Sequence, residues 1–134
     1  MQIYEIFVMP RKKKIAEESL LADIIANSMI EKKAKNVVSL DFSKFQNTLF
    51  SNFVICHGTS RTQVEAIADA VEEMVLKTTG IKPRYREGFH NAEWILLDYF
   101  DVVAHIFQEK YRNFYQLENL WADAEIKQFD SESN

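Results

Sequence analysis

The chain predicts an α/β fold: a single domain in which helices pack on a mixed β-sheet of about five strands. Three observations lead there. Its 134 residues, 47% of them hydrophobic, suffice for one core but hardly for two domains. A helical stripe of apolar residues runs from Val64 to Val75. Short β-rich runs lie on either side of it, at Phe53–Cys56 and at Trp94–Phe107.

In chain order, Leu21, Ile24, Ile25 and Ile30 recur at helical spacing, and Glu31, Lys32, Lys33 and Lys35 close the segment. This predicts an amphipathic helix over 17–35 with a basic last turn, as the helix dipole favours. Asn36 to Phe42 alternates as a strand does, and Phe50 to Cys56 holds the apolar run of a strand covered on both faces. Ser60-Arg61-Thr62-Gln63 matches a capping box, with the Ser60 hydroxyl accepting from the Gln63 amide and the Gln63 side chain reaching back. Val64, Ile67, Ala68, Val71, Met74 and Val75 form the buried stripe of the helix that follows. Glu65, Asp69, Glu72 and Glu73 form its solvated side, and Gly80 its C-terminal cap. Pro83 to Arg86 suits a short edge strand, and Glu87-Gly88 marks a turn. Trp94–Tyr99 and Asp101–Phe107 read as a hairpin, followed by a helix over 109–124 with Phe114, Leu117, Leu120 and Trp121 facing inward. The resulting organisation is an N-terminal extension over 1–19, a domain over 20–125 and a tail over 126–134.

Charge is distributed unevenly. Residues 1–59 carry 8 Lys/Arg against 6 Asp/Glu, and residues 60–134 carry 8 against 14. An acidic main body disfavours broad docking on phosphates, whose affinity comes from Lys and Arg displacing counterions, and suits a basic protein partner. Arg11-Lys12-Lys13-Lys14 follows the mildly apolar Met1–Pro10, the reverse of a secretory signal, and reads as a solvated tail. Cys56 is the only cysteine, so no internal disulfide can form and a reducing, cytoplasmic setting is expected.

The hairpin offers two different faces. With a turn symmetric about Tyr99-Phe100, Trp94 lies opposite His105, Leu96 opposite Val103 and Asp98 opposite Asp101, and these six side chains share one face. Ile95, Leu97, Val102, Ala104 and Ile106 make the other face, wholly apolar and in need of helices over it. A three-residue loop would break this parity. The first face mixes an aromatic anchor, aliphatic surface, carboxylates and an imidazole, as protein interfaces do. The competing reading makes Trp94 and Leu96 a second layer of core beneath the terminal helix.

Enzymatic chemistry finds no support. Gly58-Thr59-Ser60 resembles the Gly-Ser element of nucleotidyltransferases, but those enzymes also need a carboxylate pair such as Asp-x-Asp to hold metal ions. Asp98 and Asp101 straddle a turn at the wrong spacing. His57, His90, His105 and Cys56 show no paired metal-ligand spacing, and Cys56 suits an inert core thiol. Tyr85, Arg86, Phe89 and His90 interleave basic and aromatic residues, in a stretch too short to specify RNA.

An ordered series of motifs over Asn52–Ala124 resembles the iojap-like ribosome silencing factors. It comprises Phe53-Val54-Ile55, Gly58-Thr59-Ser60-Arg61, Gln63-Val64, Ala66-Ile67-Ala68, Gly80, Pro83 and Glu87-Gly88. It continues through Trp94-Ile95-Leu96-Leu97-Asp98-Tyr99, Asp101-Val102-Val103, His105, Phe107, Arg112, Phe114-Tyr115, Leu117-Glu118, Leu120-Trp121 and Asp123. Ile30–Asp41 matches more loosely. The resemblance implies a nucleotidyltransferase-like topology without the active site, and neither enzymatic activity nor a cofactor. It implies binding to ribosomal protein uL14 on the large subunit, exclusion of the small subunit, and lowered translation when nutrients are scarce, by a monomer or homodimer. The family's hairpin surface takes part in uL14 contact, so Trp94, Leu96, Asp98, Tyr99, Asp101, Val103 and His105 are the expected partner-facing residues. The chain departs from the family at the turn, where Phe100 stands in place of a usual Gly; a positive φ there would cost roughly 1 kcal/mol or more. The alternative is an RNA-binding large-subunit assembly factor that touches rRNA through Arg11–Lys14 and the Lys32/Lys33/Lys35 cluster.

Overall fold

The computed structural model describes residues 11–45 and 48–129, with side chains from residue 17 onward. Two long helices, α1 (Arg11–Glu31) and α2 (Arg61–Thr79), pack on one face of a six-stranded sheet. The strands are β1 (Lys35–Asp41), β2 (Asn52–Gly58), β3 (Tyr85–Glu87), β4 (Trp94–Tyr99), β5 (Val102–Gln108) and β6 (Glu125–Gln128), in the spatial order β3-β4-β5-β2-β1-β6. Only β2 and β5 pair in parallel, so the sheet is mixed as the sequence predicts. Two short helices, α3 (Glu109–Tyr115) and α4 (Leu117–Leu120), follow β5.

The sheet separates two cores, and strand alternation assigns each residue to one of them. Val54, Cys56, Ile95, Leu97, Tyr99, Val102, Ala104 and Ile106 pack with the apolar stripes of α1 and α2. Val38, Leu40, Phe53, Ile55, Val103 and Phe107 face the other way, against Phe42, Leu117 and Ala124. This second core is aromatic: the Phe42 ring lies 5.0–5.7 Å from the rings of Phe45, Phe50, Phe53 and Trp121, edge to face with each.

The helix ends have identifiable causes. α1 stops at Glu31, four residues before the expected end, in a Schellman motif. There Lys33 takes the left-handed position (φ 65°), its N–H reaches the Ile30 carbonyl at 2.9 Å, and the Ala34 N–H reaches Met29 at 3.1 Å. The lysines therefore lie beyond the helix instead of forming its last turn. α2 begins at its predicted cap, where the Gln63 N–H donates to Ser60 Oγ at 3.1 Å. The reciprocal bond lands one residue earlier than expected, because Gln63 Oε1 accepts from the Thr59 N–H at 2.8 Å. Its amide nitrogen donates to Lys33 O at 3.2 Å and so ties the start of α2 to the end of α1.

Two sequence expectations are corrected at the C-terminal end. The helix expected over 109–124 breaks at Gln116, which adopts a left-handed conformation (φ 50°). The break turns Leu117 inward but leaves Phe114 and Leu120 exposed, at 76% and 71%. The sheet also gains a sixth strand, because Glu125–Gln128 pairs antiparallel with β1 and runs from the last residue of the assigned domain into the stretch assigned to the tail. At the other end α1 starts within the stretch assigned to the extension. The expectations for Met1–Pro10 and for the end of the tail lie outside the described residues, as do those for the side chains of Arg11–Lys14.

Candidate functional site

Strand β4 makes the site legible one residue at a time. Ile95, Leu97 and Tyr99 are buried, whereas Trp94, Leu96 and Asp98 between them keep part of their surface. Tyr85 and Glu87 of β3 pair with Asp98 and Leu96 and so join the open side, where both are exposed. Helix α3 packs on β5 and β2, farther along the same sheet face. One half of that face is thus core, and the other half is an open aromatic and aliphatic surface.

The hairpin's parity agrees with the sequence reading, and its turn is displaced by one residue. Tyr99 pairs with Val102, Asp98 with Val103, Leu96 with His105 and Trp94 with Phe107. The two loop residues are therefore Phe100 and Asp101, not Tyr99 and Phe100. The shift moves every pairing by two residues and so preserves the faces. It removes Asp101 from the shared face and places it in the turn, where its carbonyl accepts from the Ser51 and Asn52 amides at 2.6 and 3.2 Å.

The seven expected partner-facing residues consequently divide. Trp94, Leu96 and Asp98 lie on the open half. Val103 and His105 share their face but are buried beneath it, at 7% and 3% exposure. Tyr99 points to the opposite face into the helix-covered core, where burial pushes its phenol pKa up and its hydroxyl has no hydrogen-bond partner.

Trp94 belongs partly to each competing reading. Its ring stacks on Phe107 at 4.8 Å and contacts Tyr115 at 4.9 Å, and Tyr115 in turn meets the exposed Phe114 at 5.1 Å. Its indole Nε1–H donates to His105 Nδ1 at 3.0 Å. Since an indole only donates, Nδ1 must accept and the imidazole proton must sit on Nε2. Burial pushes the His105 pKa down to about 3, so the ring stays neutral near pH 7. It therefore serves as a neutral support for Trp94 and lies edge to face with Phe53 at 4.4 Å.

Acidic groups border this surface. Asp98 pairs with Arg84 at 3.3 Å, Glu87 accepts from the Tyr85 hydroxyl, and Glu93 accepts from the Tyr111 hydroxyl at 3.2 Å. The cation of the basic and aromatic stretch from Tyr85 to His90 is engaged elsewhere. Arg86 grips Glu72 of α2 through two bonds of 2.7 and 2.9 Å and covers the Phe89 ring. Gly88 makes this loop possible: at φ 91°, a Cβ there would lie 2.0 Å from the Trp94 carbonyl oxygen.

A second polar cluster sits where the parallel strands β2 and β5 end. Arg112 is buried, donates to Glu118 at 2.7 Å and to the Lys35 carbonyl at 3.3 Å, and lies 3.0 Å from His57 Nδ1. Guanidinium only donates, which fixes the His57 proton on Nε2. Burial and the Arg112 charge both hold the His57 pKa down. The arrangement joins α3, α4, β1 and β2 as an internal brace. Cys56 is fully buried, and desolvation pushes its thiol up to about 12. Among the described residues no group of three His, Cys, Asp or Glu could hold a metal ion, and no helix is long and apolar enough to cross a membrane.

Sequence reasoning missed Tyr85, Phe100, Phe114, Tyr115 and Leu120 as part of the exposed surface. Parity could have found Tyr85 once β3 was paired with β4. The others depend on the displaced turn and the break at Gln116, which leave no periodic signal.

Comparison with known proteins gives a consistent answer. The family described as "Ribosomal silencing factor during starvation" matches residues 14–134. The ribosomal silencing factor RsfS of Halalkalibacterium halodurans is 40% identical over 104 residues, covering 78% of this chain and 87% of that protein. The protein of the same name from Bacillus subtilis is 37% identical over 107 residues, covering 80% and 89%. A crystal structure of a Chromobacterium violaceum protein superimposes with a TM-score of 0.72 at 28% identity, over 86% of this chain and 95% of that one. The chain belongs to the ribosomal silencing factor family.

Proposed function

We propose that the protein is a translational repressor that docks on the large ribosomal subunit through the open half of its sheet and sterically excludes the small subunit. The observation that carries this reading is the partly exposed Trp94–Leu96–Asp98 row, bordered by Tyr85 and by acidic groups, on a strand whose reverse side is buried. An apolar centre with an acidic rim suits a basic ribosomal protein, and uL14 is the partner that the sequence resemblance points to. Trp94, Leu96 and Asp98 make the contact, with Asp101 at its margin. Val103 and His105 support the row from below, and Tyr99 anchors β4 from behind. Repression is stoichiometric and needs no turnover, and it acts on cytoplasmic ribosomes under nutrient limitation.

The RNA-binding assembly factor is the weaker reading, because residues 60–134 carry 8 Lys/Arg against 14 Asp/Glu, and Arg61, Arg84, Arg86 and Arg112 are engaged in ion pairs within the domain. That reading therefore rests on Arg11–Lys14 and the Lys32/Lys33/Lys35 cluster alone. Sedimentation with purified large subunits, small subunits and uL14 tests the proposal. Binding is expected to large subunits and to uL14, with a shallow salt dependence. A steep log–log salt slope without uL14 binding would favour the RNA reading.

A further inference from the structure

The hairpin tip carries a residue that its own backbone disfavours. Phe100 is the first of the two loop residues between Tyr99 and Val102 and has φ 74°, a region in which glycine or asparagine is far more comfortable than a bulky aromatic. Asp101 does not share the positive φ, so the turn needs a special residue at one position only, as a type II′ turn does. The ring is not repaid by burial, since Phe100 is 42% exposed. It is nevertheless held in place. The Phe100 N–H donates to Asp98 Oδ1 at 2.8 Å, and the Arg84 guanidinium lies 4.8 Å from the ring centroid while pairing with Asp98 Oδ2 at 3.3 Å. A strained, exposed and pre-ordered aromatic ring loses little freedom when it is captured, which makes it a good anchor.

We infer that Phe100 is a second binding anchor, inserted from the hairpin tip into an apolar socket on the basic ribosomal protein that covers the sheet face. The inference rests on the docking reading above, and continuity supports it, because Asp98 belongs both to the open row and to the clamp that holds Phe100. Chemistry supports it as well. The acidic groups that border the row, Glu87 and Glu93 with Asp98, favour basic surroundings for the socket.

The test measures thermal melting and affinity for both uL14 and purified large subunits, using Phe100→Gly, Phe100→Ala and Leu96→Ala. Glycine relieves the backbone and removes the ring, whereas alanine removes the ring and keeps the positive φ. Phe100→Gly is expected to melt no more than about 2 °C below the wild type and to bind about tenfold more weakly. Phe100→Ala should show the same loss of affinity with a lower melting temperature than the glycine variant. If both Phe100 variants bind at full strength while Leu96→Ala binds weakly, the tip anchor is wrong and the sheet-face reading stands. If all three bind at full strength, both are wrong. A binding loss with glycine but not with alanine would assign the effect to backbone rigidity and overturn the anchor. Early melting of Phe100→Gly, by about 10 °C or more, would make the ring a structural element instead.

Discussion

Leu96 and Leu97 are neighbours in the chain and lie on opposite sides of one strand, so truncating each in turn separates stability from binding. Leu97 is fully buried in the helix-covered core. Leu97→Ala should cost about 3–4 kcal/mol, the lost transfer energy plus the cavity left behind. With an unfolding entropy near 2.1 cal/mol/K per residue, a 134-residue chain loses about 11–14 °C in melting temperature. Leu96 only borders the aromatic core and keeps part of its surface. Leu96→Ala should therefore cost about 1–2 kcal/mol, or roughly 4–7 °C. The order should reverse in binding. Leu96→Ala loses apolar contact area at the centre of the surface and should weaken uL14 about tenfold, equivalent to about 1.4 kcal/mol. Leu97→Ala, assayed well below its melting point, should bind within about twofold of the wild type, because it lies behind the contact plane. Scanning calorimetry and surface binding on the same preparations provide both readings. Equal melting shifts for the two variants would refute the assignment of faces, and full-strength binding by Leu96→Ala would move the contact elsewhere.

Further outcomes follow from the buried polar groups. Trp94→Phe keeps the stack on Phe107 but leaves the buried His105 Nδ1 without its donor, so denaturant melts should show a loss of about 1–3 kcal/mol. The folded-state pKa of His105 lies below its unfolded value, so the unfolded chain takes up the proton first. Its stability contribution is therefore complete above about pH 6.5 and falls as the pH drops towards about 3, by up to about 1.4 kcal/mol per pH unit. His105→Gln should flatten that dependence in urea melts at pH 7 and 5, and an unchanged slope would count against it. Arg112→Met leaves Glu118 and the Lys35 carbonyl without their buried partner and should cost about 3 kcal/mol or more. Ser60→Ala removes the α2 cap and should cost about 1 kcal/mol.

The elements that sequence made legible are those governed by local periodicity. The stripe from Val64 to Val75, its Ser60 cap and its Gly80 stop are set within a turn or two of chain, and the structure has all three, although Met74 of the stripe stays only half-buried at its edge. The two faces of the hairpin followed from alternation alone, and they survived a misplaced turn because the displacement preserved parity. The turn itself was not legible. Glycine preference argues against Phe100 at a positive φ, and only the Asp98 and Arg84 clamp makes it hold. The helix expected over 109–124 failed for a similar reason, since Gln116 enters the left-handed region so that Leu117 can reach the aromatic core. Strand β6 carries four exposed residues without apolar alternation, and its pairing with β1 is a long-range event. Of the candidate site, parity placed Trp94, Leu96, Asp98, Val103 and His105 on one face. Depth decided the rest, because packing from α3 and from the Phe42 cluster buries Val103 and His105 and leaves the row on β4 open.

Steric exclusion by a protein docked through this row has its plainest readout in subunit joining. Separated large and small subunits are mixed with increasing protein and resolved on sucrose gradients. Joined ribosomes should decline in proportion to the protein bound to large subunits, without turnover, and Asp98→Lys, which places a positive charge against a basic partner, should restore joining at the same concentration. Undiminished joined ribosomes at saturating wild-type protein would contradict it.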